Sequence, residues 1–97
     1  MKPFRWSESK NTQLRRERGV SFEEVVIAIA SGNLVEVLPH PNTGKYGHQQ
    51  VFVVILRGYA HLVPFVDAPD HRFLKTIIPS RKAHREYPSR TRRADET

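Results

Sequence analysis

Ninety-seven residues suffice for one compact core and are too few for two domains of ordinary size, while 38% hydrophobic and 9% aromatic residues exclude a chain that is disordered throughout. The lack of cysteine excludes disulfide staples, thiolate metal sites and cysteine nucleophiles and fits a reducing compartment, so a cytoplasmic protein is expected. Its net charge of +6 draws polyanions, and that excess gathers at the ends: +2 over residues 1–33, +1 over 34–78 and +3 over 79–97.

The opening "MKPFRWSESK" has no apolar run of signal length, and "VFVVIL" is far too short to cross a bilayer. "FRW", residues 4–6, reads as a short strand or an aromatic anchor. Ser7 is placed to cap a helix through "ESKNTQLRRER", with Gly19 where a left-handed closing residue belongs. Only Leu14 is strongly apolar there, so this helix lies on the surface, held by Leu14, the stems of Lys10 and Arg18, and the preceding rings. "VSFEEV" reads as a capping box in which Ser21 and Glu24 satisfy reciprocal amides, with Val20 and Val25 spaced as a staple. Phe22, Val25, Val26 and Ile29 then recur at helical spacing until Gly32.

From residue 34 the period shortens. "LVEVL", "QVFVVILR", "YAHLVPFV" and "RFLKTII" are β-rich runs separated by turn chemistry, and they predict four strands joined as successive hairpins. The second run is apolar on nearly every residue and predicts a central strand covered on both faces. Pro64 in the third predicts a bulge or an unpaired position. "SRKAHREY" predicts a short helix capped by Ser80, and "PSRTRRADET" a disordered tail. The expected fold is therefore α+β, with two N-terminal helices packed on one face of a four-stranded antiparallel meander and a short C-terminal helix at its rim. Alternation puts Tyr59, His61, Val63 and Phe65 on one side of the third strand, and Phe73, Lys75 and Ile77 on one side of the fourth. If those sets share the open face, Tyr59, His61 and Lys75 converge on a surface fit for an RNA backbone.

Three motifs occur in order: Trp6 and Lys10 at a helix start, Gly19–Phe22 at a turn, and Ser80–Ala83 after a strand. With the intervening meander they resemble the BrnT-type toxins of bacterial type II toxin–antitoxin modules, similar in fold to the RelE ribonuclease superfamily. The resemblance covers residues 4–87, implying a single toxin domain over 1–87 with the basic tail at 88–97. It implies an endoribonuclease that cleaves mRNA without a metal or other cofactor, possible engagement of the ribosome, and a neutralising antitoxin carrying a ribbon-helix-helix DNA-binding domain, through which alone DNA is contacted. Lys10, Arg81 and Tyr87 stand on matching motif positions. Arg18 and Pro79 depart from the family's usual pattern, which has a histidine at the first position and lacks the proline at the second.

Cleavage by 2′-OH attack needs in-line positioning, cations for the phosphorane oxygens, and groups that take one proton and return another. Arg81 suits the first cationic role because its planar fork matches two phosphate oxygens, and Lys75 adds a point charge. His84 or His61 can exchange protons near neutral pH, and Tyr87 can stack on a base or orient a phosphate. Lys10, Lys82, Arg85 and Lys45 are candidate RNA contacts. Each has a plainer alternative: Lys82 and Arg85 on a solvated face, Lys10 tying its helix to a neighbour, His61 and Tyr59 packing across strands. His40 and His48 lack a third metal ligand at a characteristic spacing. A non-catalytic module binding nucleic acid or an acidic protein through the same surface therefore stands beside the nuclease, and a transcriptional regulator is disfavoured by the apolar second helix.

Overall fold

The computed structural model describes residues 2–39, 44 and 49–87. The elements follow one another as β1 (Phe4–Arg5), α1 (Glu8–Arg18), α2 (Phe22–Ala30), β2 (Leu34–Pro39), β3 (Gln49–Leu56), β4 (Tyr59–Asp67), β5 (Arg72–Leu74), β6 (Ile78–Pro79) and α3 (Arg81–Glu86). The expected α+β class holds; the simple four-stranded meander does not. A six-stranded mixed sheet forms in the order β1-β5-β4-β3-β2, with β6 also on β4. "FRW" supplies both readings at once, since Phe4–Arg5 pair in parallel with Arg72–Phe73 and the Trp6 ring stacks on Phe22 at 5.6 Å.

The single fourth strand expected from "RFLKTII" is split. β5 pairs with Phe65–Asp67 and β6 with His61–Leu62, both on β4, and residues 75–77 bow out between them. The Lys75 amide donates to the Pro64 carbonyl at the start of the bow. The β3–β4 register runs through Pro64 unbroken, because a proline lacks only a donor; the bulge lies instead in β2, between Leu34 and Glu36.

Local capping explains the helix limits. Ser7 accepts from the Lys10 amide, and α1 closes on Gly19 at φ 69°. Ser21 accepts from the Glu24 amide, but the Glu24 carboxylate takes the Arg57 guanidinium at 2.8 Å instead of reciprocating. The first amide of α2 goes elsewhere: Phe22 N–H donates to Asn11 Oδ1 at 2.8 Å. Asn11, wholly buried, also donates to Glu23 at 2.8 Å, and Arg15 reaches the same carboxylate oxygen. One side chain thus fixes the angle between the two helices.

Leu14, Val20, Phe22, Val25 and Ala28 of the helical layer pack on Phe52, Val54, Leu56, Val63, Phe65, Leu74 and Ile77 of the sheet. Burial of one such large side chain contributes about 1.5–3 kcal/mol. The opposite face carries a smaller cluster, Val53, Ile55 and Ala60 beneath Ala83, flanked by Val35, Leu38, Leu62 and Tyr87. The helices therefore lie on both faces, α1 and α2 on one and α3 on the other, which is why β3 is buried from Phe52 to Leu56. No helix among the described residues is long and apolar enough to cross a membrane.

Candidate functional site

Two expectations about the sheet faces are corrected by this layering. Tyr59, His61, Val63 and Phe65 do share a face, but Val63 and Phe65 belong to the core under α1 and α2, so the face is covered and not open. Phe65 lies opposite Leu74 in the ladder; Leu74 therefore shares that face and Lys75, one residue on, takes the other. Lys75 does not converge with Tyr59 and His61. Ile77 returns to the core only because of the bow at 75–77.

What converges is a rim at the β3–β4 hairpin. The two-residue turn Arg57–Gly58 has positive φ at both positions, 55° and 79°, the pattern of a tight primed hairpin turn in which arginine is sterically disfavoured. The Arg57 side chain reaches back to Glu24 on α2. Just beyond the turn, the Tyr59 ring lies between two imidazoles: edge-on to His61 at 5.8 Å and stacked on His84 at 4.1 Å with 18° between planes. The α3 cap brings His84 there, because Ser80 N–H is held by the Ala60 carbonyl and Ser80 Oγ accepts from Ala83 N–H. Arg18, at the end of α1, closes the rim by donating to the Ile77 carbonyl at 2.6 Å.

His61 is 8% exposed, and burial pushes its proton affinity below the ordinary histidine value of 6.5, with the nearby Arg57 charge adding to that effect and the bond between Nδ1 and the Tyr59 carbonyl and the Glu24 charge opposing it. Burial thus favours the neutral ring. His84 Nδ1 is buried without a hydrogen-bond partner among the described residues. Neutral imidazole, a second imidazole across a shared ring, and guanidinium groups at the edge make a set able to move protons beside an anion. No protein family, curated protein or solved structure matches this chain.

The other expected residues sit apart from this rim to different degrees. Arg81, Lys82 and Arg85 are exposed on α3 and their side chains make no ion pair among the described residues. Tyr87 turns to the opposite face, where its hydroxyl donates to Glu36 on β2; this bond holds the phenol proton above its ordinary value of 10.0. Along α3, then, His84 and Tyr87 diverge: Tyr87 follows Ala83 onto the sheet, one turn apart, whereas His84 reaches the hairpin. Lys10 is half-buried on α1. Lys45, with the expected loop histidines His40 and His48 and the tail 88–97, lies outside the described residues. No group of three metal-ligating side chains occurs among the described residues.

Arg57, Glu24 and Arg18 were not singled out from sequence as site residues. For Arg57 a signal existed: "RG" between two strands demands positive φ, and asparagine is the residue that usually meets that demand. Glu24 was assigned to capping, and its link to Arg57 spans 33 positions of chain.

Proposed function

We propose that this protein is a metal-independent endoribonuclease of the RelE-like, BrnT-type toxin class, acting at the hairpin rim. The observation that carries the reading is the buried His61 across the Tyr59 ring from His84, at the hairpin that Arg57 turns. In the proposed step the ribose 2′-oxygen attacks phosphorus while His61 accepts the 2′-OH proton. The bond from phosphorus to the 5′-oxygen breaks, and His84 returns a proton to that oxygen, leaving a 2′,3′-cyclic phosphate. Arg57 and Arg18 answer the charge that builds on the phosphorane oxygens, and the exposed Arg81 holds a flanking phosphate. The helix pair laid on an antiparallel core sheet supports the class, as do the three motifs at Trp6–Lys10, Gly19–Phe22 and Ser80–Ala83. Neutralisation by an antitoxin with a ribbon-helix-helix domain belongs to the same proposal, with cytoplasmic mRNA as substrate, free or on the ribosome.

A single-stranded RNA incubated with the protein in excess EDTA tests it. The expected products carry cyclic phosphate ends, and a 2′-deoxy substitution at the cut position abolishes cutting there. Saturable RNA binding with no cut product under these conditions overturns the nuclease and leaves a binding module of the same fold.

A further inference from the structure

A second concavity lies at the far edge of the sheet from the imidazoles. Its volume is about 470 Å³, and Phe4, Arg5, Trp6, Glu8, His71 and Phe73 line it. β5 meets β4 at Phe65–Asp67, and Asp67 stands six residues beyond His61, so this pocket is roughly 20 Å along the strand from the rim. Helix α1 links the two places: Glu8 begins it at the pocket and Arg18 ends it at the rim.

The lining combines aromatic rings with complementary hydrogen-bonding groups. Trp6 is braced from behind by Phe22, and Phe4 meets Phe52 edge-on at 6.0 Å, so the wall is a rigid extension of the core. Trp6 Nε1 donates to Glu8 Oε2 at 3.1 Å, which holds the carboxylate in place and leaves Oε1 and the second lone pair of Oε2 able to accept two adjacent donors. Arg5 is exposed and presents donors only. His71 Nδ1 is engaged by Asp70 at 2.8 Å; that bond, with a smaller contribution from the Arg5 charge, holds the Asp70 carboxyl below its ordinary value. The pocket thus offers rings for stacking, one acceptor and one donor fork.

We infer that this pocket binds an unpaired guanine base of an RNA strand. Guanine presents two adjacent donors, N1–H and N2–H₂, to one carboxylate, and an acceptor pair, O6 and N7, to an arginine fork. Uracil places a carbonyl on either side of its N–H and repels a carboxylate there, adenine offers one amino group flanked by acceptors, and cytosine has a single amino donor. Aromatic walls hold any unstacked base, and the edge groups select among them. Resting on the nuclease reading, the assignment adds a specificity subsite: a guanine a few nucleotides from the scissile bond, with Lys10 on the connecting helix.

Trp6 is the only tryptophan, so its fluorescence reports on this pocket and on the adjoining apolar hollow with Val26 and Ile29; Glu8 and Arg5 line only the former and tell the two apart. Titration with the four nucleoside 5′-monophosphates, which share one phosphate, should give saturable quenching with GMP binding at least about fivefold tighter than AMP, CMP or UMP, the discrimination expected of one good edge contact. Glu8→Gln and, independently, Arg5→Gln should bring GMP to within about twofold of the others, with unchanged circular dichroism confirming the fold. Equal response to all four nucleotides, no saturable response, or a GMP preference that survives both substitutions overturns the guanine site. The two proposals separate cleanly. His61→Gln should keep the GMP response while losing cleavage; cleavage by wild-type protein without a GMP response sinks the pocket alone, and a GMP response in a protein that never cuts sinks the nuclease alone.

Discussion

Two places in this small molecule bury polar side chains, and they do so differently. Between α1 and α2, Asn11 is wholly buried with its amide oxygen and nitrogen both engaged. At the hairpin rim, His61 is nearly as buried with one ring nitrogen held by a carbonyl, and the inward nitrogen of His84 has no partner among the described residues. A satisfied buried group joins elements, because any alternative packing leaves its partners bare. An incompletely satisfied one is tolerated where the protein gains chemistry, since desolvation that disfavours charge leaves an imidazole unprotonated and so available to accept a proton.

The sharpest way to break this contrast is to remove Asn11. Asn11→Ala strips the acceptor from the buried Phe22 amide, which costs about 1–3 kcal/mol, and leaves a void where the amide group packed; Glu23 is exposed and keeps Arg15. We expect a loss of about 3 kcal/mol in urea unfolding. A loss under about 1 kcal/mol would mean that the helix junction does not depend on it.

At the other place the effect should fall on chemistry. His61→Gln should reduce RNA cleavage about 100-fold, near 2.7 kcal/mol of barrier, with a smaller change in stability. The pH dependence has a definite sign. Because burial lowers the folded-state proton affinity of His61, the unfolded chain binds the proton first as pH falls below 6.5, so folding stability declines from there downward and is unaffected above it. His61→Leu should flatten that portion of the curve of unfolding midpoint against pH. An unchanged slope would assign the acid sensitivity to other groups, such as Glu23, whose carboxyl is held below 4.5 first by the Asn11 bond and so acts at lower pH.

The difference between the two places also accounts for what could be read in the sequence. Ser7, Ser21 and Ser80 accept from amides three positions on, the Gly19 amide donates to a carbonyl four positions back, and all four caps form where spacing predicts them. β3 was legible because a strand covered on both faces must be apolar throughout. The face of β4 was not: alternation groups Tyr59 with His61, Val63 and Phe65, yet which side of a sheet receives α1 and α2 is decided by the whole core. Lys75 was misplaced because register depends on Leu74 opposing Phe65 and on the bow after it. Glu24 was assigned to its local amide, but a partner 33 residues distant won the carboxylate. Local pairings were legible; long-range competition for the same atoms was not.

Arg57 tests whether the rim accepts strain for function. A non-glycine residue at φ 55° is held against a penalty of order 1 kcal/mol, and asparagine relieves it. The pair with Glu24 is solvent-exposed on the arginine side and worth little, typically 0.2–1 kcal/mol. Arg57→Asn should therefore leave stability unchanged or raise it by about 0.5 kcal/mol, while cleavage falls about tenfold, near 1.4 kcal/mol. If stability falls and cleavage persists, Arg57 is a fastener.

The smallest effect is expected on the opposite face. Tyr87 donates to Glu36 at an exposed position, anchoring α3 to β2 without touching the hairpin. Tyr87→Phe keeps the ring against the sheet and removes only that hydrogen bond, so the loss should be under about 1 kcal/mol. Cleavage should be unchanged. Because the bond raises the phenol's proton affinity in the folded state, wild-type protein should lose stability above pH 10.0 as the unfolded chain releases its proton first, and the phenylalanine variant should lack that contribution. A cleavage defect in Tyr87→Phe with α3 still docked would move the catalytic surface from the hairpin to the α3 face, and with it the whole distinction between a polar group that fastens and one that reacts.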